Sequence, residues 1–281
     1  MLLETGGRSR ALIGAETAET YTILPGRLDA GLVILCDHAD RRFPPGYGTL
    51  GLPASQLERH IAYDIGAGGV TRRLAASLGV PAIMTHYSRL LIDCNRGSDD
   101  PTLIMRLSDG AIIPGNRHLD DAERQKRISQ YYEPYHGAVT SLIDSCEATG
   151  RRPSLLSIHS FTPIWKGRPR PWHAGILWDQ DLRLAGPLLE ALRREDGLVV
   201  GDNEPYSGRL KGDTMWQHGT SRDLPHALIE IRQDLIGDDA GQEGWAKLLA
   251  GLLLAIDGKS GTGLAIGLTA VGIEAPSAAK A

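Results

Sequence analysis

Two histidines in this 281-residue chain each follow a short apolar run. His38 comes after Gly31–Cys36 (GLVILC) and His159 after Ser154–Ile158 (SLLSI). Continuous apolar runs of this length are expected of strands buried on both faces, so each imidazole should sit at a strand's carboxyl end. Neutral imidazoles are common zinc ligands, and a catalytic zinc keeps three protein ligands and a water. Asp64 is the candidate third ligand, early in a helix that leaves the first strand; Asp37, Asp40 and His60 are its rivals. Glu230 interrupts the apolar run Ala227–Ile231 and is placed to act as a general base for a metal-activated water. Asn95-Arg96, with Arg89 nearby, form an anion clamp, because a guanidinium grips a carboxylate in a bidentate pair. Asp93 is expected to orient that loop.

Each feature has a plainer reading. A lone histidine at a strand end is ordinarily a hydrogen-bonded structural residue, and an Asp-x-Asn-Arg stretch alone is a turn with a surface arginine. The metal reading rests on two such histidines, an Asn-Arg pair and a carboxylate falling at one edge of a sheet, where open α/β folds bind ligands. Competing motifs fail. Gly258-Lys259-Ser260 ends like a phosphate loop but follows a helix at the wrong glycine spacing, and Gly66-Ala67-Gly68-Gly69 lacks the dinucleotide spacing. There is no GxSxG elbow and no HExxH helix.

The elements that must position these residues follow from periodicity. Residues 54–78 are expected to be helical, weakened by Gly66, Gly68 and Gly69. Strands are expected at 82–85 and 90–94, then a functional loop over 95–116. A helix over 120–149 should kink at Pro134. Beyond it come strands at 154–158, 174–178, 198–201 and 227–231, with helices at 181–194 and 241–256. This alternation predicts an α/β domain with a mostly parallel sheet. Residues 1–257 should form one such domain, with 1–30 as a leader or edge segment. The Gly/Ala-rich residues 258–281 should form a tail or a loosely docked segment.

Composition narrows the function classes. A formal charge of −4, from 30 basic and 34 acidic residues, argues against a nucleic-acid binder. The three cysteines give no disulfide framework and point to the cytoplasm. No apolar run reaches the length of a membrane span. The partner should be a small-molecule carboxylate; composition leaves the oligomeric state open.

Several segments together resemble one family. Ile34–Ala39 (ILCDHA), His60–Ala67 (HIAYDIGA), Tyr87–Arg96 (YSRLLIDCNR), Ser157–Pro163 (SIHSFTP), Gly201–Ser207 (GDNEPYS) and Ile229–Arg232 (IEIR) are similar to the N-formylglutamate amidohydrolase family, in its order, over about residues 30–237. That family is related to the zinc carboxypeptidases. The resemblance therefore implies a phosphorylase/hydrolase-like three-layer fold with a mostly parallel mixed sheet. It also implies roles by order: His38 and His159 as ligands, Arg89 near the scissile carbonyl, Asn95 with Arg96 on a carboxylate, Tyr206 as a substrate contact and Glu230 as base. One departure stands out. Carboxypeptidases carry a glutamate three residues after the first histidine, where this chain has Arg41, so Asp64 fills that role as a hypothesis. The expected reaction is hydrolysis of the amide of an N-acyl amino acid, first of all N-formyl-L-glutamate, with Zn2+ or another divalent metal. A carboxypeptidase-like or other deacylase is the second reading. A non-catalytic binding protein that has lost the metal is the third. A second substrate carboxylate would need a further cation, from Arg168, Arg170, Arg222 or Arg232.

Overall fold

A computed structural model describes residues 12–267. Its centre is an eight-stranded sheet. In chain order the strands are β1 (Glu16–Thr17), β2 (Tyr21–Leu24), β3 (Leu32–Cys36), β4 (Ala82–Thr85), β5 (Ser154–Phe161), β6 (Ala174–Leu177), β7 (Val200–Asp202) and β8 (His226–Arg232). Their spatial order is β7-β6-β8-β5-β3-β4-β2-β1. The inner four, β8-β5-β3-β4, run parallel; β6 and β2 flank them antiparallel. The expected mostly parallel mixed sheet is the one observed.

Period-two alternation divides the core into two layers. Leu32, Ile34 and Cys36 of β3 face one side, with Ile158 and Ile229, against helices α2 (Ala67–Leu78), α5 (Ala185–Arg193) and α6 (Asp239–Ala255). Val33 and Leu35 face the other, with Leu155 and Leu228, against α4 (Glu133–Glu147) and the stretch Ile128–Tyr132 that joins it to α3 (Asp121–Arg127). Helices thus cover both faces, which is why the inner strands read as unbroken apolar runs.

Three expectations change. Residues 54–78 do not form one helix: α1 (Ala54–Leu57) stops early, and α2 begins only after Gly66. Gly66 has φ 81° and packs against the Ile236 carbonyl, a place no side chain fits, so the chain turns there and leaves Asp64 outside the helix. Residues 90–94 are not a strand. Leu90, Leu91 and Ile92 are buried, but Leu91 N–H bonds to Ser88 and Arg96 N–H to Asp93, so the segment is a series of turns. The helix over 121–147 does not break at Pro134. It passes through a π-helical stretch, Ile128–Tyr132, and Pro134 falls in the first turn of α4, where its missing N–H costs little.

Near the start of the chain, residues 21–24 form a strand antiparallel to β4, and Glu16–Thr17 pairs outside it as the edge of the sheet. Residues 258–267 are docked rather than trailing: Leu264 and Ile266 are buried in the first core layer, and Ala265 N–H bonds to the Ala30 carbonyl. Residues 1–11 of the leader and 268–281 of the tail lie outside the described residues.

Candidate metal centre and substrate cavity

The parallel strands end at one edge, and the candidate residues gather there. His38 leaves β3 two residues past Cys36. His159 lies in β5, directly opposite Glu230 of β8 in the parallel register. Asp64 is brought to the same place by the turn before α2, where its N–H bonds to the His38 carbonyl. His38, Asp64, Arg89, Asn95, Arg96, His159, Tyr206 and Glu230 all line one cavity of about 250 Å³.

Two imidazole nitrogens and one carboxylate oxygen converge. Asp64 Oδ2 lies 3.3 Å from His38 Nδ1 and 2.9 Å from His159 Nδ1. Those separations are close to the edge of a tetrahedron with bonds of about 2.0–2.1 Å, roughly 3.3 Å. All three residues are buried.

A second tier of carboxylates fixes the rings. His38 Nε2 bonds to Asp93 Oδ1 at 2.7 Å, and His159 Nε2 bonds to Asp37 Oδ2 at 3.1 Å. Carboxylates only accept, so each Nε2 donates its proton to its backing aspartate, and each Nδ1, which faces Asp64 Oδ2, is the atom a metal would take in place of a proton. This is the carboxylate–histidine arrangement found behind metal-ligating histidines. The buried Asp37 accepts from four donors: His159 and Ser157 on Oδ2, Tyr135 and Thr214 on Oδ1. Asp93 also accepts from Arg89 and the Asn95 N–H. The donor set and its backing fit a divalent metal on His38, Asp64 and His159.

The electrostatics agree. Burial opposes ionisation of Asp37, Asp64 and Asp93, yet the neighbouring histidines, and Arg89 beside Asp93, outweigh it and hold all three below the usual carboxylate range. Burial likewise opposes charge on His159, but its bonds to Asp37 and Asp64 hold its pKa well above the usual value. Glu230 differs. Burial pushes it up to about 7, and its Oε2 is buried with no hydrogen-bond partner among the described residues. It is a carboxylate facing a cavity with its proton affinity near neutrality.

The remaining candidates divide in two. Asn95 Oδ1 accepts from the Thr214 N–H at 3.1 Å, which anchors the loop and turns the amide toward the cavity wall. Arg96 makes no ion pair among the described residues, so its guanidinium is available. Arg89 is committed: it bonds Asp93 Oδ2 at 2.8 Å and Asp64 Oδ1 at 3.3 Å. Of the rival ligands, Asp37 stands behind His159, Asp40 pairs with Arg42, and His60 sits on the cavity wall beside Asp109.

Several site residues were not anticipated. Tyr135, Thr214 and Ser157 build the Asp37 network; Ser157 shares a strand face with His159 two residues on, a signal that was present. Trp165 lines the cavity from a short hairpin, Trp178 from the end of β6, and Asp213, Met215 and Trp216 from the start of a π-helical stretch, segments whose composition carries no signal. Burial raises Asp213 to about 7.

The family model described as N-formylglutamate amidohydrolase matches residues 30–237. The crystal structure of gene product Atu2144 from Agrobacterium tumefaciens is 36% identical, covers 88% of this chain and 96% of its own, and superposes with a TM-score of 0.77. The N-formylglutamate amidohydrolase from Ralstonia eutropha JMP134 is 22% identical, covers 85% of this chain and 97% of its own, and has a TM-score of 0.63, a likeness of fold. No curated protein matches the chain.

Proposed function

This chain belongs to the N-formylglutamate amidohydrolase family and is a hydrolase acting on an amide, and from that premise we propose that it cleaves N-acyl amino acids with a divalent metal, N-formyl-L-glutamate being the first substrate. The observation that carries the reading is the convergence of His38 Nδ1, Asp64 Oδ2 and His159 Nδ1, backed by Asp93 and Asp37, at the wall of a cavity that also holds Glu230. A metal bound there, zinc by its nitrogen-rich donor set, supplies Lewis acidity and a water whose pKa is lowered to about 7.

The chain's own residues do the rest. Arg96, which has no carboxylate partner among the described residues, takes the α-carboxylate of the substrate, with the Asn95 amide beside it. Glu230 receives the proton of the attacking water on its unpartnered Oε2 and passes it to the leaving amine. A base whose pKa lies near the working pH does both transfers best. Arg89 keeps Asp64 and Asp93 in place and lines the cavity where negative charge develops on the acyl oxygen, so it is assigned to that oxyanion. Tyr206 is assigned as a substrate contact. Asp64 thereby takes the place of the glutamate that Arg41 replaces.

The three cysteines are buried and unpaired, in keeping with a cytoplasmic location. Among the described residues no helix is long and apolar enough to cross a membrane.

The test is a substrate panel with zinc-loaded protein: amine release from N-formyl-, N-acetyl- and N-succinyl-L-glutamate and from a dipeptide. The proposal expects hydrolysis of one or more N-acyl amino acids, the formyl compound first. Cleavage of the dipeptide alone would favour the carboxypeptidase-like reading. No cleavage by protein that holds zinc would overturn the assignment.

A further inference from the structure

We infer that Arg170 and Tyr206 form a second anion subsite, which selects substrates carrying a second carboxylate. The inference rests on the cavity being an N-acyl amino acid site, and it names which substrates that site prefers.

Two arginines of the described chain are buried: Arg127, 2% exposed, and Arg170, 9% exposed. Arg127 is paired with Glu123 at 2.9 Å. Arg170 has no carboxylate within ion-pairing distance among the described residues. A buried cation without a counter-charge is costly, and structural arginines avoid it by pairing. Arg170 is held instead by three aromatic rings, Tyr206, Trp165 and Phe161, at 5.0, 5.2 and 5.6 Å from its central carbon. All three rings line the cavity. Such rings steady a guanidinium without neutralising it.

The hydrogen bonds point the charge toward the cavity. Arg170 Nη1 donates to Tyr206 Oη at 3.1 Å, and more weakly to the Thr162 carbonyl at 3.4 Å. Its Nε and Nη2 find no protein acceptor among the described residues. Since Tyr206 Oη accepts from Arg170, the phenol's own proton is free to be donated. Tyr206 is 43% exposed, on the cavity side of the pair. A carboxylate that accepts the Tyr206 proton thus lies one hydrogen bond from an otherwise unbalanced guanidinium.

The other candidates for this role are spent or remote. Arg222 bonds Asp144 and Glu147, Arg232 bonds Asp234, and Arg168 sits exposed on a hairpin. Among the cavity-lining arginines, Arg89 is committed to Asp93 and Asp64, and Arg96 is assigned to the α-carboxylate. The second carboxylate belongs either to the amino-acid side chain or to a dicarboxylic acyl group; both present the same chemistry to Arg170.

The experiment compares kcat/KM for N-formyl-L-glutamate, N-formyl-L-glutamine and N-succinyl-L-glutamine in the wild type, Arg170→Met, Arg170→Lys and Tyr206→Phe, each zinc-loaded and checked for folding by circular dichroism. The wild type is expected to prefer one of the two diacids over N-formyl-L-glutamine. Arg170→Met should cut that preference about ten- to a hundredfold, the span of a charge-assisted hydrogen bond, and chiefly through KM. Arg170→Lys should restore part of it, and Tyr206→Phe should lower it. Loss of the glutamate preference places the second carboxylate on the side chain; loss of the succinyl preference places it on the acyl group. A wild type with no diacid preference, or a folded Arg170→Met that keeps it, overturns the inference. Should Arg170→Met not fold, unchanged preference in both other variants does so. A wild type that hydrolyses none of the three overturns the function proposed above instead.

Discussion

Asp37→Asn changes one atom of a residue that is not assigned as a metal ligand, yet the hydrogen bonds say what it should do. The buried Asp37 carboxylate accepts four bonds, from His159 Nε2 and Ser157 Oγ at 3.1 Å each, Tyr135 Oη at 2.8 Å and Thr214 Oγ1 at 2.9 Å. Asparagine keeps one oxygen and offers an NH2 where the other was. If the NH2 meets the hydroxyls, Thr214 can turn to the Cys94 carbonyl at 3.1 Å, but Tyr135 has no other acceptor among the described residues. One buried hydroxyl proton is then orphaned, at about 1–3 kcal/mol. If the NH2 meets His159, the ring must move its proton to Nδ1, the atom offered to the metal. Either way the charge behind His159 is gone, and such outer partners are typically worth 10–100-fold in metal affinity. Zinc affinity measured by competition with a chromophoric chelator should therefore fall about 10–100-fold. Denaturant unfolding of the metal-free protein should show a loss of about 1–3 kcal/mol. Wild-type zinc affinity in Asp37→Asn would refute the claim that Asp37 sets the tautomer of His159.

Glu230→Gln should lower kcat by about 10²–10⁴, the usual contribution of a general base, with bound zinc retained; unchanged kcat removes Glu230 from that role. Arg96→Ala should raise KM for N-formyl-L-glutamate about 10–100-fold and matter less for the α-amide analogue; an equal loss on both would mean that Arg96 holds no α-carboxylate. Acid stability depends on a different pair, His136 and His218, whose Nδ1 and Nε2 lie 2.8 Å apart beneath the site. Burial lowers them to about 4 and about 3, so the unfolded chain binds protons first as pH falls below about 6.5. Stability conferred by the neutral pair is full above that pH and drains toward pH 4, by up to about 1.4 kcal/mol per pH unit for each ring. Urea unfolding between pH 7 and 4.5 should show this slope, and His136→Phe with His218→Leu should flatten it; the same slope in both proteins would exclude the pair as its source.

What the sequence made legible follows from which forces act locally. The histidines and Glu230 could be placed because the strands carrying them are buried on both faces, and an unbroken apolar run with a polar stop announces its own end. The Asn95-Arg96 loop could be placed by its types and by resemblance. Asp64 stayed open among rivals because its position depends on a turn enforced by contact with Ile236, a residue more than 160 positions away. A single helix over 54–78 fails for the same reason: Leu57, Ile61 and Ile65 keep a helical period, while Gly66 and its long-range contact decide the backbone. Residues 90–94 looked like a strand because they are buried, and burial without sheet neighbours gives the same apolar pattern. Arg170 was one of four arginines that looked alike in sequence. Only three-dimensional placement shows that Arg170 has aromatic rings where Arg222 and Arg232 have carboxylates, while Arg168 lies exposed on a hairpin.

The most direct test of the whole account is a zinc titration of metal-stripped protein, with bound zinc and hydrolysis of N-formyl-L-glutamate measured on the same samples. The account predicts no hydrolysis without metal and activity rising in proportion to zinc until about one ion per chain is bound. It also predicts that His159→Ala loses both the binding and the activity together. Full activity in protein stripped of metal, or stoichiometric zinc bound by His159→Ala with wild-type affinity, would contradict it.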